Sequence, residues 1–161
     1  MRTLIAVGSA ALAFFAISGS ASAFTRQEPV VTSFDGTKLA TTLYVPDGAA
    51  PPGGWPAVVL FHGLGGNRAG MSSIASSLGL IGEQYVVLTV DARGHGESGG
   101  LFEGDGPNEV RDVQTLFSWL AARPDVADAR IGAWGISLGG GAIYTSLAAS
   151  AAGTAIRSTS T

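Results

Sequence analysis

Apolar residues are concentrated in three short continuous runs, and the segments between the runs carry apolar residues at helical spacing. Continuous runs of this length are typical of strands that have helices packed on both faces. Strands that alternate with helices predict an α/β fold whose sheet is mostly parallel and covered by helices. The runs are residues 57–61, 85–90 and 130–134, and the helical spacing occurs at Met71, Ile74, Ala75 and Leu78 and at Val110, Val113, Leu116, Phe117 and Leu120.

A β-hairpin is predicted before the first run, over residues 28–46. Residues 30–34 form its first strand and residues 39–45 its second strand. Between them Asp35-Gly36 is a strong turn signal, because glycine and aspartate tolerate the backbone angles of tight turns.

The composition changes abruptly at residue 150. An alanine-rich segment from Leu138 toward Ala149 predicts a helix, whereas residues 150–161 are nearly all Ala, Ser, Thr and Gly. We expect this low-complexity segment to be a disordered tail, since it offers no further buried strand. The predicted domain spans residues 24–161 and includes this tail.

Residues 1–23 have the features of a cleaved secretory signal peptide. Arg2 supplies a positive start, residues 4–17 are mostly apolar, and Ala21-Ser22-Ala23 is a site that signal peptidase prefers. A retained membrane anchor is the alternative, but the run is shorter than the roughly 20 apolar residues of a spanning helix. We therefore expect a secreted or extracytoplasmic protein that leaves the membrane after cleavage.

Charge and cysteine content exclude several classes of function. The chain of 161 residues has a formal net charge of −3 and no cysteine. An acidic balance without a basic run argues against a nucleic-acid partner. Without cysteine there is no disulfide, thiolate chemistry or cysteine metal site, and the two histidines show no metal-ligand spacing. We expect neither a metal nor another cofactor.

A serine between two glycines is the clearest chemical signal in the chain. Gly135-Ile136-Ser137-Leu138-Gly139 joins the third apolar run to the alanine-rich helix. Glycine on either side of the serine removes the β-carbons that would collide in a sharp strand-to-helix turn. Such a turn exposes the hydroxyl beside the first amides of the helix. We predict that Ser137 is a nucleophile, and the alternative is that it only caps the helix.

A serine nucleophile also needs donors that stabilise an oxyanion. The backbone N–H of Leu138 is one predicted donor, and that of Leu64 is the other. Leu64 lies in the glycine-rich loop 62–66, which can approach a bound carbonyl closely. His62 begins this loop, and we expect it to orient the loop by hydrogen bonds; a catalytic base is the alternative.

The loop after the second run carries a second cluster of polar residues. We expect Asp91 and Arg93 to hold this loop by hydrogen bonds, while His95 and Ser98 are solvated. The alternative is that His95 forms a base or a metal site with Asp91 or Glu97.

These motifs together resemble the α/β-hydrolase superfamily. The N-terminal hairpin and the sequence before Ser137 are similar to the branch of X-prolyl dipeptidyl-peptidases and cocaine esterases. The resemblance extends over residues 30–149. It rests on His62-Gly63, Asp91-x-Arg93-Gly94-His95-Gly96-x-Ser98, Trp134-Gly135-Ile136-Ser137-x-Gly139, Asp35-Gly36 and Tyr44-Val45-Pro46.

The resemblance implies a serine hydrolase that acts on an ester or peptide acyl group of a small-molecule or peptide substrate. Its catalytic triad would run in the order serine, acid, histidine, yet no Asp, Glu or His follows Ser137. We therefore expect a partial α/β-hydrolase domain that ends after the nucleophile turn and is inactive alone. Residues 130–134 would then lie at an exposed edge of the sheet. The alternative is a secreted, non-catalytic binding protein on the same scaffold.

Overall fold

A computed structural model describes residues 24–151 of the chain, with six strands and three helices in that range. The predicted signal segment 1–23 lies outside these residues, as do residues 152–161 of the predicted tail. The strands are β1 (Phe24–Gln27), β2 (Val30–Thr32), β3 (Lys38–Pro46), β4 (Trp55–Phe61), β5 (Val86–Val90) and β6 (Val126–Gly135), and the helices are α1 (Arg68–Ser77), α2 (Pro107–Ala121) and α3 (Leu138–Ala151).

The strands form a mixed sheet in the order β1-β3-β5-β4-β6, with β2 also paired to β3. β4 pairs in parallel with both β5 and β6, so the three apolar runs form the parallel part of the sheet. β3 is antiparallel to β5, and β1 and β2 are antiparallel to β3. The parallel arrangement predicted from the sequence is therefore limited to β5, β4 and β6, because the N-terminal hairpin joins the sheet through β3.

The predicted hairpin is present, with a shorter first strand than the sequence indicates. Ser33 belongs to the turn, where its N–H donates to the carbonyl of Thr37 at 2.8 Å. Gly36 has φ +87°, which explains the glycine at this position. β1 pairs with the last four residues of β3 and was not predicted, because all four of its residues are exposed and give no alternating pattern.

Helices cover both faces of the sheet. On one face, α2 and α3 pack against alternate residues of the strands, and on the other face α1 packs against the residues between them. Leu88 of β5 points to the first face and Val87 to the second, and both are fully buried. This burial explains why β4 and β5 appear as continuous apolar runs.

β6 lies at one edge of the sheet within the described residues, paired with β4 on one side. This position confirms the expected edge, and it leaves Ile131, Ala133 and Trp134 only partly buried. On α3, Tyr144 is 74% exposed and Leu147 is 65% exposed. Within the described residues, β6 and α3 therefore expose apolar side chains to solvent.

Residues 24–151 contain no helix with the length and hydropathy that crossing a membrane requires.

Candidate active site

The turn at Ser137 joins the end of β6 to the start of α3 and has a strained backbone. Ser137 has φ +52°, which residues other than glycine rarely adopt. A Cβ on Gly135 would lie 2.5 Å from the carbonyl carbon of Gly139, and a Cβ on Gly139 would lie 2.6 Å from that of Phe61. Close backbone contacts therefore require both glycines, one across the turn and one against β4.

The glycine-rich loop after β4 packs directly against this turn. The N–H of Ile136 donates to the carbonyl of Phe61 at 3.2 Å. A Cβ built on Gly63 would lie 3.4 Å from the Cβ of Ser137. In residues 24–151, the amides of Leu64 and Leu138 donate to no backbone carbonyl. Leu138 directly follows the serine and Leu64 follows Gly63, so two N–H groups without a backbone acceptor lie beside the turn.

His62 is 1% exposed, and hydrogen bonds occupy both of its ring nitrogens. Nε2 accepts the N–H of Ala92 at 2.9 Å, and Nδ1 lies 2.7 Å from the carbonyl oxygen of Gly63. Because Nε2 accepts, the ring proton sits on Nδ1 and is donated to Gly63. This neutral imidazole has no nitrogen left to accept a proton from Ser137. His62 instead joins the loop after β4 to the loop after β5.

Asp91 directly follows β5 and is buried beneath the rest of the loop that it begins. Its carboxylate accepts the backbone N–H of Arg68 at 2.6 Å and that of Glu97 at 3.0 Å, and it forms an ion pair with the Arg68 guanidinium. A Cβ on Gly96 would lie 2.7 Å from Oδ1, so glycine is needed where the loop folds over this carboxylate. Arg68 was not predicted from the sequence. The signal that could have found it is its position two residues after the glycine-rich loop, at the start of α1.

The expectation that Ser98 is solvated is wrong. Its Oγ–H donates to the carbonyl of Asp91 at 2.6 Å, and its Oγ accepts the N–H of Ala40 at 2.8 Å. Gly99 donates its N–H to the carbonyl of Lys38 at 2.9 Å. The loop after β5 therefore folds back along β3, which places Ser98 between two backbones.

The expectation that His95 is solvated is also wrong, since the ring is half-buried. It packs edge-on against His62 and Phe102, with ring centroids 5.1 and 5.2 Å away. Its Nδ1 lies 3.1 Å from the carbonyl oxygen of Arg93. His95 thus fills the space between two loops.

Arg93 is 4% exposed and connects three parts of the domain. Its Nε and Nη2 each donate to Asp112 of α2 at 2.8 Å, and its Nη1 donates to Asp35 of the hairpin turn at 2.8 Å. Hydrogen bonding to Asp112 raises the pKa of the Arg93 guanidinium, and hydrogen bonding to Arg93 lowers the pKa of Asp35. Sequence reasoning missed Asp112, although an acidic residue directly before Val113 in an apolar stripe was a usable signal.

The arrangement around Ser137 supplies a hydroxyl and two amide donors. Both histidines of the sequence lie in the described range, and both contact the loops around the site. Within residues 24–151, no group of three or more metal-ligating side chains is placed to hold a metal ion.

The loops around Ser137 lie within a stretch of the chain that matches a known protein family. A family model for X-Pro dipeptidyl-peptidases, the S15 family, matches residues 35–158. The chain belongs to the S15 family. The matched residues include the hairpin turn, both loops and the turn at Ser137.

A longer relative also matches part of the chain. An Escherichia coli relative, described as an uncharacterized 31.7 kDa protein in the traX-finO intergenic region, is 31% identical over 112 residues. The match covers 68% of this chain and 37% of that relative. The chain therefore spans little more than a third of the relative's length.

Solved structures show an α/β-hydrolase fold for this S15 chain. The esterase Pf2001 of Pyrococcus furiosus matches with a TM-score of 0.63 and 27% identity, over 78% of this chain and 47% of the esterase. The acetyl xylan esterase from Paenibacillus sp. R4 matches with a TM-score of 0.60 and 22% identity, over 84% of this chain and 47% of that enzyme. The chain covers under half of each neighbour.

Proposed function

We propose that this chain is the nucleophile-bearing part of an exported serine hydrolase that cleaves an ester or peptide acyl group. The conformation of Ser137 carries the proposal. The serine has a positive φ between two glycines that tolerate no side chain, and the loop of Gly63 lies against it. Two amides without a backbone acceptor flank the same point.

In this proposal Ser137 Oγ forms a bond to the acyl carbon of the substrate. The carbonyl oxygen becomes an oxyanion and accepts hydrogen bonds from the amides of Leu138 and Leu64. The bond to the leaving alcohol or amine then breaks, and the leaving group takes up the proton that Ser137 lost. Water hydrolyses the acyl-serine, which releases the acid and restores the hydroxyl.

A histidine base and an orienting carboxylate are needed to move this proton. No Asp, Glu or His follows Ser137 in the sequence, and His62 is occupied by structural hydrogen bonds. We place both missing groups in a part of the protein that this sequence does not include. The short span of the chain relative to its neighbours supports that placement.

Labelling with a fluorophosphonate tests the assignment of Ser137. A version of the protein extended by its downstream coding sequence should be labelled at Ser137, as located by peptide mass spectrometry. The 161-residue chain should turn over activated esters barely above its Ser137→Ala variant, because loss of triad members lowers turnover by about 10⁴ to 10⁶.

The matched control is Ser73→Ala, which removes an exposed serine on α1 and should leave labelling unchanged. Labelling of the extended protein at another serine, or none at all, would contradict the proposal. Absence of labelling would favour the second candidate, a non-catalytic binding protein. The lack of a triad acid and histidine after Ser137 is the observation that supports this candidate.

Export is part of the same proposal and is supported by the sequence of residues 1–23. Cleavage after Ala23 would leave β1 intact, because β1 begins at Phe24. N-terminal sequencing of protein recovered outside the cytoplasm should therefore start at Phe24. A chain that retains Met1 would contradict cleavage.

A further inference from the structure

Two carboxyl groups near the start of α2, on buried Glu109 and half-buried Asp105, are not used by the proposed reaction. Glu109, in the first turn of α2, is 4% exposed. Its carboxylate accepts the N–H of Glu103 at 2.8 Å through Oε1, but Oε2 is buried without a hydrogen-bond partner. Oδ1 of Asp105 is also buried and unpartnered. Unpartnered buried carboxylate oxygens are unfavourable, so this pair requires an explanation.

Asp105 also contacts the helix that begins at the nucleophile turn. A Cβ built on Gly141, in the first turn of α3, would lie 3.3 Å from Cγ of Asp105 and would overlap its Oδ2. Any side chain at position 141 would force this carboxyl group out of its present position. The N–H of Gly141 donates to the carbonyl of Ser137 at 3.1 Å, so Asp105 touches the residue that closes the turn.

The backbone marks the same two positions. Among the described residues other than glycine, positive φ occurs at Ser137, with +52°, and at Asp105, with +59°. Aspartate tolerates this conformation better than most residues do. The loop of Asp105 therefore adopts an uncommon conformation that directs the carboxyl group toward α3.

One small cavity connects the carboxyl pair with the turn. Its volume is about 30 Å³ and its lining is mostly apolar. Lining residues include Asp105 and Glu109 on one side and Leu138 and Gly139 of the nucleophile turn on the other. The carboxyl pair and the turn at Ser137 therefore line the same small cavity.

The surrounding charges do not neutralise Asp105. Arg93 lines the same cavity but is committed to Asp112 and Asp35, and His62 is neutral and fully hydrogen-bonded. On the side of α3, residues 138–142 carry no charge. Burial, and then the nearby charge of Glu109, raises the pKa of the Asp105 carboxyl.

We infer that Asp105 is a positioning residue for Ser137, and that the protonated form of its carboxyl group is the one that holds the first turn of α3 in place. The neutral group suits the apolar contact with Gly141, and its O–H supplies a donor in a cavity that holds an unpartnered carboxylate oxygen. When Asp105 loses this proton, the negative charges of Asp105 and Glu109 both lie in the lining of one small cavity, and the turn that carries Ser137 and the amide of Leu138 becomes less well fixed. The inference rests on the proposed function in assigning Ser137 as the nucleophile.

The first test measures stability alone, so it holds even if Ser137 is not a nucleophile. A carboxyl group with a raised pKa in the folded state loses stability as pH rises from its unfolded value, about 3.9, through the folded value. In the full-length protein, the Tm of wild type should fall relative to that of Asp105→Asn between pH 4 and pH 8, by roughly 5 °C. A constant difference across this range would overturn the protonated state of Asp105.

The second test measures the position of the nucleophile, as the rate of fluorophosphonate labelling of Ser137 against pH. Asparagine resembles the protonated acid, so Asp105→Asn should still be labelled at Ser137. Its labelling rate should no longer change with pH over the range in which Asp105 of the wild type loses its proton. Asp105→Ala and Gly141→Ala should lower the rate roughly 10- to 100-fold at saturating probe, as misplacement of a reacting group does. Gly140→Ala is the matched control, because its Cβ would make only an ordinary 3.5 Å contact.

The outcomes of the two tests separate the inference from the proposed function. If wild type is not labelled but its Tm falls relative to that of Asp105→Asn as expected, the proposed function is contradicted and the protonation of Asp105 is supported. If wild type is labelled and Asp105→Ala or Gly141→Ala labels as fast as Gly140→Ala, the positioning role is overturned. Equal losses in Asp105→Asn and Asp105→Ala would also overturn it, because a neutral isostere should preserve the contact.

Discussion

Gly139 shows most directly how single residues shape the turn at Ser137. Its missing side chain lets α3 start against the carbonyl of Phe61, at the end of β4. Gly135 has the same role across the turn, where it faces the backbone of Gly139. Both positions were predicted from the sequence, because a serine in this turn needs small neighbours. The partner backbone at Phe61 could not be predicted, since it depends on which strand lies beside β6.

Replacement of Gly139 by alanine should destabilise the protein by about 1–3 kcal/mol or more. The new methyl group would lie 2.6 Å from the carbonyl carbon of Phe61, and a backbone carbonyl cannot move aside without disturbing β4. Denaturant unfolding of the full-length protein measures the change. Gly140→Ala is the control and should be neutral or slightly stabilising, because alanine favours helix. Equal effects of the two substitutions would contradict the contact.

At the scale of elements, Arg93 connects the hairpin turn, the loop after β5 and α2. Its fork of donors binds both oxygens of Asp112 and one oxygen of Asp35. Phe34 lies beneath the guanidinium, with the ring centroid 5.6 Å from Cζ. This connection fixes the loop whose backbone N–H at Ala92 binds His62. The position of the glycine-rich loop therefore depends on residues far from it in sequence.

Asp112→Ala should destabilise the protein by about 3–5 kcal/mol, because it leaves the buried Arg93 without its main partner. Loss of the hydrogen bond from Ser33 to Asp112 adds to this effect. Chemical unfolding at neutral pH gives the free energy of unfolding. Asp128→Ala, at an exposed position on β6, is the control and should change stability by less than about 0.5 kcal/mol. A small effect of Asp112→Ala would show that Arg93 does not depend on this pair.

The elements themselves were largely predictable, and the reason is physical. β4 and β5 appear as continuous apolar runs because both faces of the sheet are buried, and α2 shows an apolar stripe at helical spacing. β1 could not be predicted, since it is fully exposed and held by backbone pairing with β3. Ser98 and His95 were assigned to solvent because a sequence does not show that their loop folds back on β3.

At the scale of the whole molecule, the chain is a member of the S15 family with an α/β-hydrolase fold. The E. coli relative and the two esterases are each more than twice its matched length. β6 and the exposed side of α3 form an apolar boundary on the part of the chain that the structure describes. The family and the strained turn at Ser137 were predictable from local motifs.

A crystal structure of the extended protein after phosphonylation tests the central claim most directly. The account predicts a covalent bond between phosphorus and Ser137 Oγ, with the phosphoryl oxygen accepting hydrogen bonds from the amides of Leu138 and Leu64 at about 2.7–3.1 Å. An adduct whose oxygen points away from both amides, or a Ser137 hydroxyl directed into the protein, would contradict it.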